Sequence, residues 1–128
     1  MKEYVNAIEA GKIVCLENEM DATQLECNAH AKCKGVSLKH LVTDKSTGGK
    51  LSCHLVRIQA GCEISEHVHP DKLELHEILS GQGKGILVHK EIPYLAGTYV
   101  VISANAPHRV IAGEEDVYLL AKFTPALV

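Results

Sequence analysis

Several features are missing from this sequence, and each absence closes off a class of function. There is no block of basic residues, and the formal charge is only −3, so nothing in the electrostatics favours nucleic acid or an anionic membrane as a partner. No apolar run approaches the roughly 18 to 20 residues needed to span a bilayer. The opening, MKEYVNAIEAGKIVCLENEM, carries acids throughout and lacks a continuous apolar stretch, so it does not read as a secretory signal. Internal repeats and low-complexity segments are also absent. The expectation is a soluble, cytoplasmic protein, and a chain of 128 residues is long enough to bury one hydrophobic core as one domain.

The five cysteines (Cys15, Cys27, Cys33, Cys53 and Cys62) are odd in number and accompany no export signal, which argues for reduced thiols rather than a disulfide framework. Cys27, His30 and Cys33 read C-x2-H-x2-C, a short spacing that zinc sites also use. A closed site requires a fourth ligand, for which His40 is one candidate; buried or loop thiols account for the same residues without a metal.

What is present is mostly β-strand patterning. EYVNAIEA has apolar positions near helical spacing and ends at Gly11, and a short strand, KIVCL, follows. Residues 17–35 show neither period and read as a loop or arm. From Val36 onward, VSLKHLV, LSCHLVRI, LELHEIL, GILV, TYVVISA, HRVIA and VYLLAKF form seven short segments rich in β-branched residues. Turn signals such as DKSTGGK, HPDK, SGQGK and GEED separate them, which predicts an antiparallel all-β sandwich or barrel.

The chemistry concentrates in GCEISEHVHPDKLELHEILSG, residues 61–81. On a strand, residues i and i+2 point to the same face, so His67 and His69 would project together. A Pro-Asp turn follows, then Glu74 and His76 share one face of the next strand. His108, at the head of the apolar segment HRVIA, is the best-placed further donor. Neutral imidazoles with one carboxylate suit Fe, Mn, Ni, Co, Cu or Zn as divalent ions, and a buried Glu74 without a cation or partner would cost several kcal/mol.

The spacing Gly61-x5-His67-x-His69-x4-Glu74-x6-Gly81 resembles the first signature motif of the cupin superfamily at every position. In the second motif, Gly97 and His108 match, while Ser103, Asn105 and Ala112 replace the family's Pro, Gly and Asn. Fifteen residues, 82–96, separate the two motifs, as in small microbial cupins. The resemblance spans roughly residues 48–125. It implies a double-stranded β-helix (jelly-roll) barrel over 48–128, an N-terminal arm over 1–47, and His67, His69, Glu74 and His108 as ligands of one divalent transition metal ion. Proteins similar to small cupins are commonly homodimers, and the arm could serve that contact.

Beyond the motifs, His76 could hydrogen-bond a ligand, contact an anion or act as a general base; a core histidine satisfied by backbone is the plain alternative. His54 and Arg57 have opposite parity, so only one can face inward. Tyr94 and Tyr99 flank Gly97 as potential phenol acids or barrel-end packing. Glu63, Glu66 and Glu77 are expected to face solvent or a loop. The resemblance implies a metal-dependent enzyme of the dioxygenase, isomerase or lyase type acting on a small organic molecule, or alternatively a non-catalytic module that binds and reports one.

Overall fold

The computed structural model describes residues 2–128. Helix α1 (Glu3–Glu9) precedes β1 (Lys12–Val14) and β2 (Glu19–Asp21), then a 3₁₀ turn (Ala22–Gln24) and β3 (Cys27–Ala29). There follow β4 (Val36–Val42), a one-turn helix α2 (Asp44–Thr47), β5 (Ser52–Ile58), β6 (Glu63–His67) and β7 (Leu73–Ser80). The remaining strands are β8 (Gln82–Leu87), β9 (Lys90–Leu95), β10 (Tyr99–Ile102), β11 (His108–Ala112) and β12 (Val117–Thr124). The chain is mostly antiparallel β, as the strand pattern predicts.

Two sheets face each other: a six-stranded one ordered β10-β7-β12-β5-β4-β3 and a four-stranded one ordered β6-β11-β8-β9, with β1 and β2 forming a separate hairpin. Residues 17–35, expected to lack regular structure, contain β2 and β3, each only three residues long, too short for either period to show. Through β3 and β4, the segment before residue 48 adds two strands to the six-stranded sheet.

Strand β12 explains the continuous apolar run VYLLAKF. It lies between β7 and β5, and both of its faces are covered. Val117, Leu119, Ala121 and Phe123 point into the space between the sheets, joined there by Val56, Ile58, Ile78 and Val110. Tyr118 and Leu120 point the other way, beneath Val5 and Ile8 of α1. Each such side chain stabilises the fold by about 1.5–3 kcal/mol on burial.

Gly81 shows why the hairpin between β7 and β8 needs glycine. Its φ is +91°, and a Cβ there would sit 1.9 Å from the carbonyl oxygen of Asp116, so no side chain fits. Strand β9 was not anticipated because Pro93 interrupts it. It survives because β9 is the edge of its sheet, where a missing N–H costs no ladder bond.

Candidate metal centre

The alternation along β7 turns Glu74, His76, Ile78 and Ser80 inward, all buried, with Glu77 on the opposite face beside Lys122. His67 and His108 arrive from the opposing sheet, where they are direct cross-strand partners on β6 and β11. Between that pair and the next, Ile64 to Val110, β6 has three steps against two on β11, a bulge of the kind that re-aims side chains. His69 is not on the strand: β6 ends at His67, and His69 lies in the turn that leads to β7. Its ring packs edge-on against Phe123, with centroids 5.0 Å apart.

Second-motif geometry holds despite the substitutions. Asn105 occupies a left-handed conformation, φ +68°, which asparagine tolerates better than other non-glycine residues. Its N–H donates to the carbonyl of His69, tying the loop before His108 to the turn after His67.

His67, His69, Glu74 and His108 converge so that one donor atom from each lies within 4.8 Å of the others. About 4.2 Å separates opposite ligands on an ion with bonds near 2.1 Å, so small adjustments suffice to close the set. The hydrogen bonds around the cluster determine which nitrogens are free. Nδ1–H of His67 donates to the carbonyl of Ser65 at 2.8 Å, and Nδ1–H of His108 to that of Ala106 at 2.9 Å. In the neutral rings this places a lone pair on each Nε2.

The critical contact lies between His108 Nε2 and Glu74 Oε1. They are 2.9 Å apart, both buried, and neither has a hydrogen-bond partner. His69 Nε2 is 3.8 Å from the same oxygen. With His108 neutral, lone pairs thus face one another at two buried atoms, an arrangement that costs several kcal/mol until a positive charge enters. A proton on His108 Nε2, donating to Glu74 Oε1, offsets this while no metal is bound. Burial pushes the Glu74 carboxyl up, yet His108 and His76 more than offset this and hold it well below the usual range. Burial pushes His108 down, but Glu74 reverses the direction and raises it. His67 and His69 are both lowered by burial, so they favour the neutral, metal-competent form. The donor set fits a divalent transition metal ion.

His76 lies beside this cluster, 3% exposed, with both ring nitrogens engaged. Nε2 is 2.6 Å from Glu74 Oε2, and Nδ1 is 2.8 Å from the hydroxyl of Tyr94. Tyr94 reaches across from β9, so this chain of contacts joins the two sheets through the core.

The other candidates separate cleanly. His54 faces inward and is fully buried, while Arg57 is on the outer face, paired with Asp116 at 2.7 Å. Tyr99 is exposed. Glu63 pairs with Arg109 at the surface. Cys27, His30 and Cys33 do not assemble: His30 Nδ1 accepts from the backbone N–H of Lys32 and Cys33, and Cys33 enters the core. His40 turns to His54 instead, Nδ1 to Nδ1 at 2.7 Å. All five cysteines are free thiols.

A family model described as the cupin domain matches residues 54–122, more than half of the chain, and the chain belongs to that family. No curated protein sequence matches it. Among solved structures, it is similar to a predicted oxalate decarboxylase from Thermotoga maritima (TM-score 0.73, 21% identity, covering 80% of this chain and 95% of that one). It also resembles an RmlC-like cupin from Shewanella frigidimarina (TM-score 0.71, 16% identity, 82% and 87% covered). The polyketide cyclase RemF from Streptomyces resistomycificus aligns at TM-score 0.69 and 14% identity, covering 80% and 75%. At these identities the likeness establishes the fold. Among the described residues, no helix is long and apolar enough to cross a membrane.

Proposed function

We propose that this protein is a metal-dependent cupin enzyme acting on a small organic molecule, with His67, His69, Glu74 and His108 holding one divalent transition metal ion. The observation that carries this reading is the pair of buried, partnerless atoms, Glu74 Oε1 and His108 Nε2, facing each other at 2.9 Å. A bound ion of this kind supplies Lewis acidity toward a carbonyl or enediol, or, as iron, access to dioxygen. The chain's own part is to fix the tautomers of His67 and His108 through backbone carbonyls and to keep the carboxylate ionised. It also walls the site with Phe123 and the aliphatic core, which favours a small, partly apolar substrate. The similar folds include a decarboxylase and a cyclase by name, so the fold alone leaves the reaction open.

Metal analysis of untagged protein tests the site. Wild type should carry close to one ion per chain, and His67→Ala and Glu74→Ala should carry almost none; equal content in all three would sink the proposal. A panel of small diols, thiols and keto acids, with oxygen uptake followed on an Fe(II)-loaded sample, then separates reaction types. A panel member that raises the melting temperature without turning over would identify a binding module instead.

The proposal extends to a cytoplasmic homodimer joined through the N-terminal arm. Among the described residues the β1–β2 hairpin pairs with no other strand, and it exposes Val14, Leu16 and Met20, with Leu16 wholly uncovered. An isolated two-stranded hairpin is marginal in water, so a second copy is its natural support. Light scattering should give twice the chain mass, falling to one chain in Leu16→Lys; a monomeric wild type would refute this part. Cell fractionation checks the compartment.

A further inference from the structure

We propose that His76 and Tyr94 are positioning residues that hold Glu74 so that only one of its oxygens, Oε1, is offered to the metal. This rests on the metal reading above and adds to it a role for two residues outside the ligand set.

The proton order along the chain can be worked out from its ends. Tyr94 is 2% exposed, and burial, with Glu74 nearby, pushes its hydroxyl upward, so the phenol stays protonated. A ligating carboxylate can only accept, so the proton of the neutral His76 ring is on Nε2, and Nδ1 accepts the Tyr94 O–H. Nε2–H then donates to Glu74 Oε2 at 2.6 Å, the short range of a charge-assisted bond. Oε2 is thereby occupied, while Oε1 is the carboxylate oxygen without a partner. The carboxylate is held in one rotation about its last bond and has one oxygen to give. With both nitrogens committed and the ring buried, His76 has no lone pair directed at a substrate, which argues against its use as a general base.

The surrounding packing suits this arrangement. In the six-stranded sheet His76 lies opposite Ala121 of β12, whose small side chain leaves the imidazole room. The Tyr94 ring lies over Gly85 on the neighbouring strand β8, and a Cβ at Gly85 would sit 2.3 Å from the ring. The absence of a side chain at Gly85 therefore sets where the phenol can lie. Outer partners of this type orient metal ligands, and their loss typically costs about 10–100-fold in affinity.

The test uses Co(II) added to the full-length, metal-stripped protein, with affinity and the visible d–d spectrum as readouts. Wild type should bind one Co(II) with a defined spectrum. His76→Leu should bind about 10–100-fold more weakly, with a shifted spectrum as the second carboxylate oxygen becomes available. His76→Gln, which keeps an N–H donor, should recover most of both. Tyr94→Phe removes a single oxygen from a side chain that otherwise packs the same way, and should weaken binding several-fold with a smaller spectral change. If His76→Leu does not fold, Tyr94→Phe and His76→Gln decide the matter. Wild-type affinity and spectrum in Tyr94→Phe and in every folded His76 variant would overturn the positioning role and leave the metal site intact. Failure of wild type to bind Co(II) would overturn the metal reading itself.

Discussion

Two histidine clusters lie inside this barrel, separated by the ring of Phe123, and their chemistry is opposite. Phe123 packs edge-on against His69 at 5.0 Å on one side and His54 at 5.6 Å on the other. In the first cluster three imidazoles surround a carboxylate, and two buried atoms are without partners. In the second, His54 is bonded at both nitrogens, to His40 at 2.7 Å and to Ser52 at 2.8 Å, and Ser52 also accepts the backbone N–H of Leu127. No acid takes part in the second set, and no buried polar atom there is left over. Both clusters contain buried histidine; what separates a site from a core network is whether polar atoms still require something the chain does not supply.

The largest effect should come from exchanging damage between the clusters. Glu74→Ala removes the only carboxylate of the first set and should abolish metal binding, whereas His54→Leu should leave the metal content of the folded protein at the wild-type level. Metal analysis of the two variants purified in parallel makes the comparison. Loss of metal in His54→Leu as complete as in Glu74→Ala would show that the two clusters are one unit.

The second effect is on stability against pH. Burial pushes His54 down from 6.5 to about 4, with His40 adding to the shift and Glu74 opposing it. The neutral form is the one that is folded, so the unfolded chain binds more protons between those two values. Stability from this group is therefore complete above pH 6.5, is lost as pH falls toward 4, and changes little below that. At pH 4.5 the loss is about 2–3 kcal/mol. In denaturant unfolding, metal-stripped wild type should lose about 2–3 kcal/mol more stability between pH 7.5 and 4.5 than His54→Leu does. Parallel losses in the two proteins would mean that His54 does not carry the dependence, and the second cluster would be less buried in effect than its geometry implies.

The two clusters also differ in how much of them could be read in advance. Glu74, His76 and their inward parity follow from period-2 alternation over an eight-residue strand, the strongest kind of pattern in this chain. The glycine-bounded spacing carried His67 and His69 with it, and the second motif carried His108, although His69 reaches the site from a turn, where parity has no meaning. Tyr94 was seen only as one of two tyrosines near Gly97, because Pro93 hid the strand that aims it inward. The His40–His54 pair was invisible for another reason. It depends on the register of β4 against β5, which a bulge between His40 and Val42 shifts. Register across a connection containing a helical turn is a tertiary property, and neither strand's own pattern specifies it. The same limit applies to Asn105, whose substitution for glycine looks disruptive until its left-handed φ is known.

The smallest effect sharpens the contrast most, because it tests whether the satisfied cluster is satisfied for a structural reason. Ser52 is fully buried, and its hydroxyl oxygen accepts from Leu127 N–H at 2.8 Å while meeting His54 Nε2 at the same distance. With the hydroxyl proton given to His54 Nε2, the His54 proton is on Nδ1 and faces His40, so one serine orders the whole row and anchors the C-terminal tail. Ser52→Ala deletes one oxygen and leaves two polar groups unpaired, the backbone N–H of Leu127 and a nitrogen of His54. Leaving such groups unsatisfied costs about 1–3 kcal/mol, a fall of roughly 5 °C or more in melting temperature for a domain of this size. The prediction is that thermal unfolding shows this fall while Co(II) affinity and spectrum stay at wild-type values. A melting temperature that does not move would mean water replaces the hydroxyl, and the row would then be wet rather than core. A changed Co(II) spectrum would mean that Phe123 transmits the disturbance to His69, and the separation of the two clusters would fail at that ring.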